Sequence, residues 1–248
     1  MKVIFNSDDF GMSRGVNYGI IDACLLGPVR SATMMANMPA FLHGVSLLPH
    51  APKLAVGAHL VLTAGKSLGG PYKTITDCDG FFQSQSVLKG RAEAGEIDLG
   101  EVERELSLQI EKLLGAGIKL SHLDGHHHIH GSPGISDVCL ELARKRGLPM
   151  RDFANQGAGQ LGFKAPAFYG DFYGESANLA HLEKVLSSLE RDTEIMCHPA
   201  YVDGFLLDGS TYNVQRAREL YVLTDPRLAE MLSKYGHTLA SYADWSRA

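Results

Sequence analysis

Residues 118–130 read Ile-Lys-Leu-Ser-His-Leu-Asp-Gly-His-His-His-Ile-His, an apolar strand-like run (Ile118, Leu120, Leu123) that ends in a dense cluster of imidazoles around Asp124. Neutral imidazole is the commonest protein ligand for divalent transition metals, and it titrates near physiological pH. Such a cluster points to a metal centre or to proton-transfer chemistry. An affinity tag or a solvated histidine-rich loop is the plain alternative. It fits poorly, because the segment is internal, continues a buried-looking strand and includes a carboxylate. A strand that delivers its polar residues at its carboxyl end is the mark of a parallel α/β sheet, where sites form along that edge.

Outward from this segment, short apolar runs alternate with helical patterns, as βαβ units require. Val3-Ile4-Phe5 reads as a buried first strand ending at Asn6-Ser7-Asp8-Asp9. Ser13 is placed to cap a helix carrying Val16, Ile20 and Cys24 on one face and stopped by Gly27-Pro28. Residues 31–37 and 54–62 suit two further strands, the second carrying His59. Val102, Leu106, Ile110 and Leu113 recur at three-to-four spacing and predict a helix over about 101–114. After the histidine segment the pattern predicts a helix over 135–146 closed by Gly147, a strand over 148–153, a helix over 179–189 and a strand over 194–197 leading to His198-Pro199. Asp225-Pro226 opens a last helix, Gly236 ends it, and 237–242 can supply a closing strand.

The chain has 248 residues, which suits a barrel of about 250 residues folded as a single domain over 1–248. Two long connections, about 63–97 and about 154–178, interrupt the alternation, and connections of that length usually cover a site. The second holds Phe163, Phe168, Tyr169, Phe172 and Tyr173 among glycines; such rings, Tyr169 and Phe172 foremost, can stack on sugar faces or simply pack the loop onto the body. Lys66, Lys73 and Lys164 on the same connections could meet a phosphate, although a solvated surface role is the simpler one.

A formal charge of -5 gives no electrostatic footprint for nucleic acid. Cys24, Cys78, Cys139 and Cys197 form no C-x-x-C pair and suit reduced thiols. The N-terminus reaches Asp8 after a single lysine, and no apolar run approaches the roughly 18 residues of a membrane helix. The expectation is a cytoplasmic protein with no membrane partner.

Asp8-Asp9, His59, the 122–130 cluster and His198 all fall at carboxyl ends of expected strands. Their joint position is a better argument than any one of them. Adjacent carboxylates repel unless something positive separates their roles. A divalent cation does so: one aspartate ligates while the other accepts a proton.

The segments Asn6-Ser7-Asp8-Asp9-Phe10-Gly11-Met12-Ser13, Gly57-Ala58-His59-Leu60-Val61-Leu62-Thr63, His122 to His130, and Met196-Cys197-His198-Pro199 resemble the signature segments of the YdjC/ChbG carbohydrate deacetylases, a group that includes chitooligosaccharide deacetylases. Residues 212–225 are similar to that family's C-terminal part. The resemblance implies an irregular (β/α) barrel and metal-dependent hydrolysis of sugar N-acetyl groups. By motif position it implies Asp9, His59 and His126 as metal ligands, Asp8 as general base and His198 as proton donor. Asp124, two residues from His126, could orient an imidazole from behind. Ser7, Gly125 and Ala200 depart slightly from the family pattern, and none is a proposed ligand. The resemblance implies Mg²⁺ and a homodimer, whereas one carboxylate with two imidazoles suits Zn²⁺ or another transition metal better.

Three other readings compete. A metallo-amidohydrolase or phosphoesterase barrel would usually place H-x-H on the first strand, where this chain has Asp8-Asp9. A glycosidase would need two carboxyls flanking the scissile bond, about 5 Å or more apart. A non-catalytic sugar or metal sensor would keep the ligands but have no use for Asp8 and His198.

Overall fold

The structure is a computed structural model that describes residues 1–153, 161–163 and 166–245. It belongs to the α/β class. Seven strands alternate with helices: β1 (Lys2–Phe10), α1 (Arg14–Leu25), β2 (Val29–Met34), α2 (Phe41–Leu47), β3 (Ala55–Leu60), α3 (Gln85–Glu93), α4 (Leu99–Gly115), β4 (Leu120–Gly125), α5 (Ile135–Arg146), β5 (Ala167–Tyr169), α6 (Leu179–Ser187), β6 (Thr193–Cys197), α7 (Gly204–Gly209), α8 (Val214–Leu223), α9 (Pro226–Lys234) and β7 (Thr238–Leu239). The strand path is β4-β3-β2-β1-β6-β5, with β7 on β1. Pairing is parallel between β1 and β6, β1 and β7, β3 and β4, and β5 and β6. This is the irregular (β/α) barrel arrangement expected from the sequence, with a path that does not return on itself among the described residues.

The chain forms two compact units, each built from separated segments: Met1–Thr33, Pro39–Ala55 and Pro166–Trp245 in the first, Met34–Met38 and Val56–Ala165 in the second. In the first unit β1 is buried from its second residue to its last, far beyond the Val3-Ile4-Phe5 run, because β6 pairs with it in register from Val3↔Thr193 to Ser7↔Cys197. Ser13 caps α1 as its sequence suggests, its hydroxyl accepting the Val16 N–H at 3.2 Å. Gly15 and Gly19 let α1 lie against the chain that follows His198: a Cβ on Gly15 would meet the Tyr201 carbonyl oxygen at 2.1 Å, and one on Gly19 the Ala200 Cα at 2.4 Å.

In the second unit, α4 buries Val102, Leu106, Ile110 and Leu113, the stripe its spacing predicts. Its buried face also carries polar residues. Glu105 accepts the backbone N–H groups of Leu68 and Gly69, and Glu101, one turn earlier, those of Lys73 and Thr74. Two carboxylates thus pin the long 63–97 connection, which also contains α3 rather than being wholly irregular.

Several expectations shift. The strand expected over 148–153 is reduced to a single bridge, Leu123↔Met150. The 154–178 connection contains β5, paired to β6, a strand that the Gly-rich aromatic composition had hidden; part of that connection and Lys164 lie outside the described residues. Helices α2, α7 and α8 are additions. Cys24, Cys139 and Cys197 are buried and Cys78 is exposed, and none of them is in a disulfide among the described residues.

Candidate functional site

In the second unit the site residues follow from strand register. His59 on β3 stands opposite Asp124 on β4, so two polar side chains meet as direct neighbours. His59 Nδ1 lies 2.7 Å from Asp124 Oδ1, and both are almost wholly buried. The second carboxylate oxygen of Asp124 pairs with the buried guanidinium of Arg151 at 3.1 Å. Burial alone would raise the Asp124 carboxyl, but Arg151, His59 and the hydrogen bond from His59 reverse that and hold it well below the usual carboxylate range. An ionised carboxylate only accepts, so His59 Nδ1 is the donor, and in the neutral ring Nε2 then carries the lone pair. That is the tautomer and the bracing found behind metal-ligating histidines.

His126 follows β4 directly, buried, with its ring edge-on to His59 at 5.4 Å between centroids. The backbone then passes through left-handed conformations at His127 (φ 53°) and His128 (φ 55°), and the His127 ring lies 3.8 Å from that of His126, tilted by 32°. His127 Nδ1 meets the Thr63 hydroxyl at 2.9 Å, and His128 stacks on Phe153 at 4.1 Å. His122 Nδ1 meets the Ser121 hydroxyl at 2.9 Å, its ring lying over Gly57, where a Cβ would come within 2.5 Å of it. His130 is fully buried; burial drives its pKa down to about 3, so it is neutral.

In the first unit the carboxyl end of β1 presents Asp8 and Asp9, both buried. Asp9 has φ 70°, a conformation uncommon outside glycine, and this breaks the alternation that would send adjacent side chains to opposite faces. Asp8 Oδ1 accepts from Asn6 Nδ2 at 2.9 Å, and Asp9 Oδ2 pairs with the buried Arg216 on α8 at 2.7 Å. His198 follows β6. Its backbone N–H donates to Glu219, also on α8, and its ring stands edge-on to Tyr173 and Tyr212.

The described residues hold two overlapping sets of buried donors of the kind that takes a metal ion: Asp9, His59 and His126, and Asp8, His59 and Asp124. The aromatic expectations fare differently. Phe172 is fully buried and leaves no ring face for a sugar, because it packs as core; that expectation is corrected. Tyr169, half-buried on β5, meets His181 Nε2 through its hydroxyl at 2.8 Å. Tyr173 is the ring that faces outward, 45% exposed and stacked on Tyr212 at 3.8 Å. Lys66 lies over the Phe81 ring rather than in a phosphate-like pocket.

Arg151, Arg216, Tyr212 and Glu219 were missed by the sequence reading. Tyr212, Arg216 and Glu219 lie in the 212–225 stretch that resembles the family's C-terminal part, and Arg216 and Glu219 sit three apart on one face of α8; the spacing was the physical signal for a role. It is identical to the signal of an ordinary solvated face.

A parallel α/β sheet with buried carboxylates and imidazoles at the carboxyl ends of its strands defines a class of sites suited to metal binding and acid–base chemistry. Comparison with known proteins narrows the class. The YdjC-like protein family model matches residues 2–234, and the chain belongs to that family. A carbohydrate deacetylase from Geobacillus stearothermophilus is 38% identical over 247 residues, 98% of this chain and 97% of that protein. One from Halalkalibacterium halodurans is 40% identical over 233 residues, 93% of this chain and 98% of that protein. Among solved structures, an Enterococcus faecalis protein named for cellobiose-phosphate cleavage superposes with a TM-score of 0.89 at 31% identity, covering 97% of both chains. A family 4 carbohydrate esterase from Streptomyces lividans shares the fold at a TM-score of 0.55 and 14% identity, over 96% of this chain and 91% of that one.

Proposed function

We propose that this chain is a metal-dependent carbohydrate deacetylase that removes N-acetyl groups from amino-sugar oligosaccharides of the chitooligosaccharide type. The observation that carries the reading is the His59–Asp124–Arg151 chain, which fixes one imidazole in the tautomer a metal requires. The names of the relatives support the substrate class.

Asp9, His59 and His126 would hold the ion. One oxygen and two nitrogens suit Zn²⁺ or another transition metal by chemistry, and Mg²⁺ is the ion that the family resemblance implies. When bound, a divalent cation polarises a carbonyl and makes water more acidic. Asp8, buried and oriented by Asn6, is the general base that takes the proton from the attacking water. Arg216 pairs with Asp9 and holds it in place. His198 gives its proton to the departing sugar amine, and Tyr173, beside it, offers the exposed ring on which a sugar can stack. Tyr169 is proposed as a second sugar contact at the same flank. We propose with this a cytoplasmic homodimer, checked by sedimentation.

The test is mass spectrometry of diacetylchitobiose, with and without a phosphate, incubated with the protein and a panel of Mg²⁺, Mn²⁺, Co²⁺ and Zn²⁺. Loss of one acetyl unit, abolished by chelator, is expected. Asp8→Asn should lower turnover by about 10²–10⁴-fold while leaving bound metal unchanged. Glycan cleavage without acetate would move the assignment to a glycosidase. Tight sugar binding without turnover on every metal would make the protein a sensor.

A further inference from the structure

Helix α8 carries a buried carboxylate that the chemistry above does not use. Glu219 has no exposed side-chain surface, and its oxygens have separate partners. Oε2 accepts the backbone N–H of His198, and Oε1 accepts the phenol of Tyr212. Oε1 also lies 3.8 Å from His198 Nδ1, a buried nitrogen with no hydrogen-bond partner among the described residues. The Tyr212 phenol in turn accepts the Gly174 N–H at 2.8 Å, and its ring stacks under Tyr173. The groups facing the His198 ring are therefore Tyr173 and Tyr212, edge-on, and Glu219; Arg216, three residues before Glu219, is paired with Asp9.

We infer that Glu219 is the positioning residue of the proton donor: it clamps the His198 backbone and stands beside Nδ1, so that the ring is held with Nε2 turned to the leaving amine. This rests on the deacetylase reading for the identity of the donor. The physical reasons are independent of it. A buried carboxylate persists only where donors satisfy it, and Glu219 is satisfied by the His198 backbone N–H and the Tyr212 phenol. Burial and the neighbouring Glu219 carboxylate push the Tyr212 phenol far above its ordinary pKa, so it remains a donor throughout and holds the Glu219 rotamer.

The experiment is NMR of histidine-labelled full-length protein, the His198 ring signals identified by their loss in His198→Asn, alongside kcat and KM for acetate release. Glu219→Gln is expected to move the His198 ring signals and to lower kcat by about 10²-fold with KM little changed. Glu219→Asp should restore part of both. Tyr212→Phe, which releases the Glu219 rotamer, should move the same signals and lower kcat by less, and it serves as the test if Glu219→Gln fails to fold. A Glu219→Gln or Tyr212→Phe protein with the parent's His198 signals and the parent's kcat overturns the inference. If the parent protein releases no acetate, the deacetylase reading fails instead, while the ring signals still report on the Glu219 pair.

Discussion

Asp9 and Asp124 are both buried aspartates paired with a buried arginine, one in each compact unit, yet the two regions use the pairing differently. Asp124 has Oδ1 on His59 and Oδ2 on Arg151, so protein partners occupy both oxygens. It is a brace whose work is to fix an imidazole. Asp9 sits at φ 70° with Arg216 on Oδ2, a strained backbone held by an ion pair. Strain of that kind, of order 1–3 kcal/mol, persists where the surroundings over-determine it, and it clusters at working sites. The same ion pair thus serves as scaffold in one unit and, on the proposed function, as support for a ligand in the other.

The sharpest way to break this comparison is to remove each arginine. Arg151→Met and Arg216→Met each take the guanidinium from a buried carboxylate, and each should cost about 3–5 kcal/mol of stability, read by urea denaturation in the presence of chelator. Adding Zn²⁺ or Mn²⁺ should then recover Arg216→Met far more than Arg151→Met, because a cation on Asp9 replaces the lost charge. Equal recovery would show that Asp9 is not set apart as a ligand.

A smaller effect concerns His130, whose ring nitrogens have no hydrogen-bond partner among the described residues. Burial holds its pKa at about 3, below the usual 6.5, so the unfolded chain binds the proton first as pH falls. The stability is fully present above about pH 6.5 and drains away towards pH 3. His130→Leu should flatten that decline in the metal-free protein by about 3 kcal/mol at pH 4, at 1.36 kcal/mol per unit. A denaturation series whose slope matches the parent's between pH 6.5 and 4 would contradict this.

The smallest effect tests how the first unit places His198. Gly19→Ala drives a methyl group into the Ala200 backbone and should cost about 1–3 kcal/mol. It should also slow acetate release more than the equally helical but open Gly90→Ala, whose Cβ meets nothing. Matching rates in the two variants would show that the approach of α1 to the His198 segment is dispensable.

How much of this was legible in the sequence differs between the regions for a physical reason. The second unit's donors come from one short stretch and its paired strand: His126 follows Asp124 by two residues, and His59 is its register partner, so local pattern sufficed. The histidines left without a role there gained one only from the backbone turn at His127 and His128, which no periodicity announces. In the first unit the landmarks Asp8, Asp9 and His198 were readable as strand ends. Their partners were not, because Arg216 and Glu219 lie on a helix that is charged on its surface as well. Phe172 and Tyr173 show the limit most clearly. Adjacent aromatics in a glycine-rich stretch look alike, and only packing makes one core and leaves the other exposed.

The anchorage of the 63–97 connection has a consequence for how such a protein can change. Glu101 and Glu105 grip main-chain N–H groups of Leu68, Gly69, Lys73 and Thr74, and the grip itself uses no side chain except the Thr74 hydroxyl; Gly69 is fixed for another reason, since a Cβ there would meet the Tyr72 hydroxyl at 2.4 Å. The segment is held as a shape and not as a text. Its outward-facing residues can therefore be rewritten, by evolution or by grafting, without loosening it from α4, so long as no proline removes one of the gripped amides.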